Sequence, residues 1–141
     1  VHPGHRGGRG DRGDLAGADG DGPGPGLDGQ DRHRHRLRDR RGFRILDPAK
    51  SDVPTIVAAC AGAKTVVGIE GSHLIHGVNV LQPGGSLLVL QPPNRFLCFF
   101  KYLTDRDQQN FGFVVGTEEG NGFSIDADEV ERTLDLFPVS A

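Results

Sequence analysis

The chain has 141 residues and a formal net charge of −3, enough for one ordinary domain. Its charge and apolar content are unevenly spread: residues 1–41 hold 11 Gly, 9 Arg, 7 Asp and 4 His with no aromatic residue and carry +2, whereas residues 42–141 hold all eight Phe and both Cys and carry −5. No run reaches the roughly 18–20 apolar residues of a membrane-spanning helix, no signal-peptide stretch opens the sequence, and an acidic main part argues against nucleic acid as its partner.

Residues 1–41 contain six aliphatic side chains, Val1, Leu15, Ala16, Ala18, Leu27 and Leu37. That is too little apolar surface to offset the entropy of ordering forty residues, so the segment is expected to stay outside the fold. Three origins fit its composition: GC-rich DNA read in a shifted frame, a flexible tail, or a binding arm. The Arg6–Gly13 run resembles an RG-rich nucleic-acid arm, Arg12-Gly13-Asp14 an adhesion tripeptide, and the His33/His35 and Arg run a metal or phosphate binder. Tripeptides of this kind arise by chance in so biased a segment. The folded part is therefore expected over residues 42–141.

Gly42–Leu46 is β-like and ends at the turn signal Asp47-Pro48. Ser51 or Asp52 can cap a helix that tolerates Pro54 in its first turn and presents Val53, Ile56, Val57 and Cys60 on one face, with Gly62 ending it. Thr65–Ile69 is apolar and β-branched, as in a strand buried on both faces. Leu74, Val78 and Leu81 suggest a second helix, broken by Pro83-Gly84-Gly85. Ser86–Gln91 is another buried strand, closed by Pro92-Pro93. Phe96, Phe99, Phe100 and Leu103 give helical spacing over Arg95–Asp107; Phe111–Gly116 is a strand; and Asp126 with Glu129 forms a capping box for a last helix facing inward through Val130, Leu134 and Phe137. Strands alternating with helices mean βα units, hence an α/β, Rossmann-like fold with a mainly parallel sheet. Cys60 and Cys98 lie in apolar runs without CxxC spacing. They read as buried, reduced thiols in preference to a disulfide, which fits a cytoplasmic setting.

Ligands of open α/β sheets bind beyond the carboxyl ends of the strands. The junction after Thr65–Ile69 places Gly68, Glu70, Gly71, Ser72 and His73 in a tight turn that opens a helix. Glycine permits close backbone approach, and free N–H groups at a helix start attract phosphate. The plain alternative is a turn glycine and a Ser72 N-cap. The turn matches neither GxGxxG nor a P-loop. Glu70, His73 and His76 at spacing 0, 3 and 6 do not match HExxH, and no metal site is assigned. At the next junction Arg95 can grip a phosphate or be an ordinary surface arginine.

Together, Val66-Val67-Gly68-Ile69-Glu70-Gly71-Ser72-His73-Leu74-Ile75-His76, then Pro83-Gly84-Gly85-Ser86 and the strand Leu87–Leu90, resemble the C-terminal region of glycosyltransferase family 61, which includes proteins of capsular polysaccharide biosynthesis. The match spans about residues 43–95, with a looser tail to 137. The resemblance implies the donor-binding half of an inverting, GT-B-like enzyme. Gly68, Gly71, Ser72, His73, His76 and Arg95 would then be donor-binding, and Glu70 the one candidate catalytic base. A nucleotide-sugar is the implied donor and substrate, a glycan of unspecified kind the acceptor, and no further cofactor is implied. His73 departs from the family pattern, which has a small residue there, and His76 stands where Asn is common. The acceptor-binding N-terminal domain is not represented, so the resemblance implies donor binding, with sugar transfer dependent on that domain. Two other readings stand beside it: a non-catalytic Rossmann-like nucleotide-binding module, and an RG-rich nucleic-acid binder resting on residues 1–41.

Overall fold

The computed structural model describes residues 1, 14–16 and 27–139. The Arg6–Gly13 run lies outside the described residues. The elements in chain order are β1 (Asp14–Ala16), α1 (Leu27–Arg41), β2 (Arg44–Leu46), α2 (Val53–Cys60), β3 (Thr65–Ile69), α3 (Leu74–Val78), β4 (Ser86–Gln91), α4 (Phe99–Arg106), β5 (Asn110–Val115), β6 (Thr117–Glu119), β7 (Gly122–Ser124) and α5 (Ala127–Leu134). Five strands form one sheet in the order β2-β1-β3-β4-β5, every neighbouring pair parallel. The chain has the expected α/β, Rossmann-like fold. Its strand order reverses between β1 and β3, the place where doubly wound sheets open a ligand crevice.

Strand alternation divides the core in two. Val66, Leu87 and Val89 pack with Ile56, Cys60, Leu74, Val78 and Phe100 under α2, α3 and α4; Val1 is buried in the same cluster. On the other face Val67, Leu88, Leu90 and Val114 meet Leu37, Phe43, Val130 and Leu134 under α1 and α5. All six residues of β4 are buried, because it is central and covered on both sides. This explains why its sequence, SLLVLQ, is continuously apolar from Leu87 to Leu90.

Sequence reasoning set the start of the folded part at Gly42. In the structure β1 lies between β2 and β3, and α1 packs on α5. Leu37 is 3% exposed in the second core cluster. Arg36 pairs with Asp128 and, at 2.5 Å, with Glu131, and Arg41 pairs with Asp135 at 2.7 Å. Gly42, read as the start of a strand, caps α1 instead: at φ +67° its N–H reaches the Arg38 carbonyl at 3.0 Å. His33 and His35 fall on α1.

Several boundaries differ for local reasons. Asp52, not Ser51, caps α2, its carboxylate accepting from the Thr55 N–H at 2.9 Å. α3 has five residues, and Gly77 within it allows close packing, since a Cβ there would lie 3.4 Å from Cys60 Sγ. α4 starts at Phe99, so Phe96 and Phe99 are exposed while Phe100 and Leu103 face the core. Cys60 is buried as expected. Cys98 is exposed, because it precedes the helix on the loop that Pro92-Pro93 begins; the two cysteines form no disulfide with each other. The β6–β7 hairpin was not anticipated from TEEGNGFS. Gly120 turns it at φ +58°. No helix among the described residues is long and apolar enough to cross a membrane.

Candidate functional site

The carboxyl ends of β3, β4 and β5 lie side by side, with Ile69 opposite Leu90 and Gln91 opposite Val115. The Glu70 N–H continues the ladder by donating to the Leu90 carbonyl at 3.0 Å. The β3–α3 turn and the β4–α4 loop are thereby held next to each other, beside the point where the strand order reverses.

Two predicted residues from these separate junctions meet. Arg95 Nε lies 3.5 Å from Glu70 Oε2; the Glu70 side chain is 6% exposed and that of Arg95 66%. A carboxylate so withdrawn from water needs a partner, since desolvation penalises its charge. Arg95 supplies one from the solvent side.

The turn ends at His73, which takes the N-cap position of the five-residue α3 without a side-chain capping bond. The N–H groups of Leu74, Ile75 and His76 donate to the carbonyls of Gly71, Ser72 and His73 at 3.2, 3.2 and 3.3 Å, a tight i to i+3 pattern leading into a five-residue helix. A helix of five residues sums few peptide dipoles, so its end adds little to the attraction of a phosphate. What the turn does offer is the N–H groups of Gly71, Ser72 and His73, which have no acceptor among the described residues. Ser72 is exposed, and its hydroxyl makes no hydrogen bond among the described residues. Gly68 sits in the sheet rather than in the turn, buried between Ala16 of β1 and Val89 of β4.

His73 lies against Gly71: a Cβ on Gly71 would fall 2.8 Å from His73 Cε1 and 2.9 Å from Nδ1. The glycine thus makes room for the His73 ring. Burial, and secondarily the charge of nearby His76, hold the His73 pKa below that of an ordinary imidazole. Its buried Nε2 has no hydrogen-bond partner among the described residues. No group of three or more His, Cys, Asp or Glu among the described residues is arranged to hold a metal ion.

One polar residue here was not among the candidates. Gln91 is fully buried at the end of β4; its Nε2 donates to the Leu97 carbonyl at 3.1 Å, and its Oε1 has no partner among the described residues. The bond ties the loop bearing Arg95 to the sheet. A glutamine closing an otherwise apolar strand was the available signal.

No protein-family model matches the sequence, and no curated protein does. Among solved structures, the chain is similar to a cinnamyl alcohol dehydrogenase (SbCAD4) from Sorghum bicolor at 16% identity and a TM-score of 0.40, over 88% of this chain and 37% of that one. The chain thus spans little more than a third of that structure's length. The class of protein defined by the fold is that of α/β domains with a parallel, Rossmann-like sheet.

Proposed function

We propose that the surface beyond the carboxyl ends of β3 and β4 binds a small molecule carrying both phosphate and hydroxyl groups, and that a nucleotide-sugar is its natural member. The observation that carries this reading is the Glu70–Arg95 pair, a sheltered carboxylate and an exposed guanidinium from the neighbouring junctions after β3 and β4. A guanidinium offers bidentate donors to phosphate oxygens, and a carboxylate accepts from sugar hydroxyls. The N–H groups of Gly71, Ser72 and His73, with the Ser72 hydroxyl, add donors on the same turn. The resemblance to glycosyltransferase family 61 supports the nucleotide-sugar and, with it, a role in glycan or polysaccharide synthesis. The buried Cys60 and the free Cys98 fit a reducing, cytoplasmic setting for such a donor.

In a transferase, a donor phosphate engaging Arg95 would draw it from Glu70, leaving that carboxylate to accept a proton from an incoming hydroxyl. A second reading, donor binding without transfer, is favoured by the same pair: Glu70 is the lone carboxylate of the two junctions, and Arg95 already occupies it.

Titration calorimetry on the full chain with UDP-, GDP- and dTDP-sugars tests the proposal. Binding of at least one is expected, weakened about tenfold or more by Arg95→Ala, since a charge-assisted hydrogen bond contributes ~1.5–3 kcal/mol. Absence of heat with all of them, or equal binding by Arg95→Ala and Glu70→Gln, would rule the site out. Sugar release or transfer by the bound chain separates enzyme from binding module.

A further inference from the structure

The two edges of the main sheet are built differently. β2, at one edge, has three residues and an exposed Arg44. Short edge strands bearing charge resist pairing with other chains. β5, at the other edge, has six residues, NFGFVV, without a charge or a proline. Its ladder to β4 uses the N–H groups of even-numbered residues: Asn110 donates to the Gly85 carbonyl and Gly116 to that of Gln91, both at 2.8 Å. The N–H groups of Phe111, Phe113 and Val115 therefore point away from β4, and no other described strand pairs with them. Phe113 and Val115 are 45% and 44% exposed, and Phe96 packs edge-on to Phe113 at a centroid distance of 5.0 Å, itself 46% exposed. An open edge is thus continuous with an aromatic patch.

We infer that β5 is the seam of a homodimer, in which two copies related by a two-fold axis pair their β5 strands antiparallel and join their five-stranded sheets into one. The sequence of the strand selects a second copy as the occupant. A two-fold axis sets every residue against residues of the same strand, so a charged strand would repel itself; β5 carries no charge. Centred on Phe113, the register places Phe113 against its equivalent and Phe111 against Val115, residues whose N–H groups face the seam. On the other face small Gly112 comes opposite Val114. Each apolar side chain then meets another, and the unused backbone donors gain acceptors.

Light scattering coupled to size-exclusion chromatography of the full chain, at tens of micromolar, tests this directly. The expected mass is twice the 15.1 kDa of the protomer. Phe113→Lys, which brings two ammonium groups together at the axis, is expected to give a monomer with an unchanged circular dichroism spectrum. Val115→Pro, which removes a seam N–H and none that bonds β4, is expected to do the same. Leu136→Lys, 83% exposed beyond α5, is expected to remain dimeric. Should both seam variants fail to fold, hydrogen exchange of the unmodified chain decides: protection at the Phe113 and Val115 amides is expected to increase with protein concentration. A wild-type monomer, a larger assembly, a dimer that survives Phe113→Lys, or concentration-independent exchange at these amides would overturn the inference.

Discussion

Leu37→Ala tests whether the arginine- and glycine-rich segment belongs to the folded domain. Leu37 is 3% exposed, inside a cluster with Phe43, Val130 and Leu134. Truncation to alanine removes three carbon groups at ~0.8 kcal/mol each, about 2.4 kcal/mol of lost burial, and the unfilled space raises this to roughly 2.5–4 kcal/mol. Helix propensity contributes almost nothing to the change, since alanine and leucine are both strong helix formers. The ion pairs of Arg36 and Arg41 lie near the surface and add little, so Leu37 is the main apolar attachment among the described side chains of α1. With a urea m-value of ~1.5 kcal/mol/M, the denaturation midpoint should fall by about 2 M. Leu136→Ala, at an 83% exposed position, serves as control and should stay within ~0.5 kcal/mol of the parent. A Leu37→Ala midpoint within ~0.3 M of the parent would refute docking of α1 and return the start of the fold to Gly42. Deleting residues 1–41 goes further: it removes β1 from between β2 and β3 and should abolish cooperative unfolding.

Two other perturbations follow from local geometry. Gly116→Ala would bring a Cβ to 2.4 Å from Phe123 Cδ2 and 2.8 Å from the Ser124 carbonyl, and that backbone atom cannot step aside; a loss of ~1–3 kcal/mol is expected in thermal unfolding, whereas the nearest atom to a Cβ on Gly122 is 3.9 Å away and Gly122→Ala should cost much less. Equal melting of the two variants would contradict this packing. His73 titrates below the ordinary imidazole value of 6.5, so below that pH the unfolded chain binds the proton more readily than the folded one. Its contribution to stability is complete above pH 6.5 and is lost as pH falls toward the depressed folded value; His73→Gln should flatten the stability–pH curve in that interval, and an unchanged slope would place the ring in solvent.

The sequence disclosed some of this architecture directly and hid the rest for identifiable reasons. Thr65–Ile69 and Ser86–Gln91 are legible because both faces of each strand are covered, which demands unbroken apolar runs. α1 leaves no such trace: its attachment combines Leu37 with arginines that find carboxylates on α5, ninety residues away, and helical periodicity does not register partners at that distance. The hairpin of β6 and β7 escaped because its strands are three residues each and mostly polar. The helix read over Arg95–Asp107 from the spacing of Phe96, Phe99, Phe100 and Leu103 begins only at Phe99, and Phe96 and Phe99 are exposed.

The candidate site divides along the same line. Glu70, Gly71, Ser72, His73 and Arg95 were legible as junction residues because the strands before them were legible. Their pairing was not, since it depends on which strand ends are neighbours. The parallel register of β3 with β4 brings Glu70 under Arg95, and the buried Gln91 amide helps to hold the β4–α4 loop to the sheet. The helix-dipole argument weakens on one particular: α3 has five residues, and its first three N–H groups are taken by i to i+3 bonds to the carbonyls of the turn. Under the proposed function, recognition by this surface would rest on a side-chain pair and three residual amides more than on a helix end. Binding should therefore be far more sensitive to Arg95 than to substitutions within α3, and that contrast distinguishes the geometry observed from the one the sequence suggested.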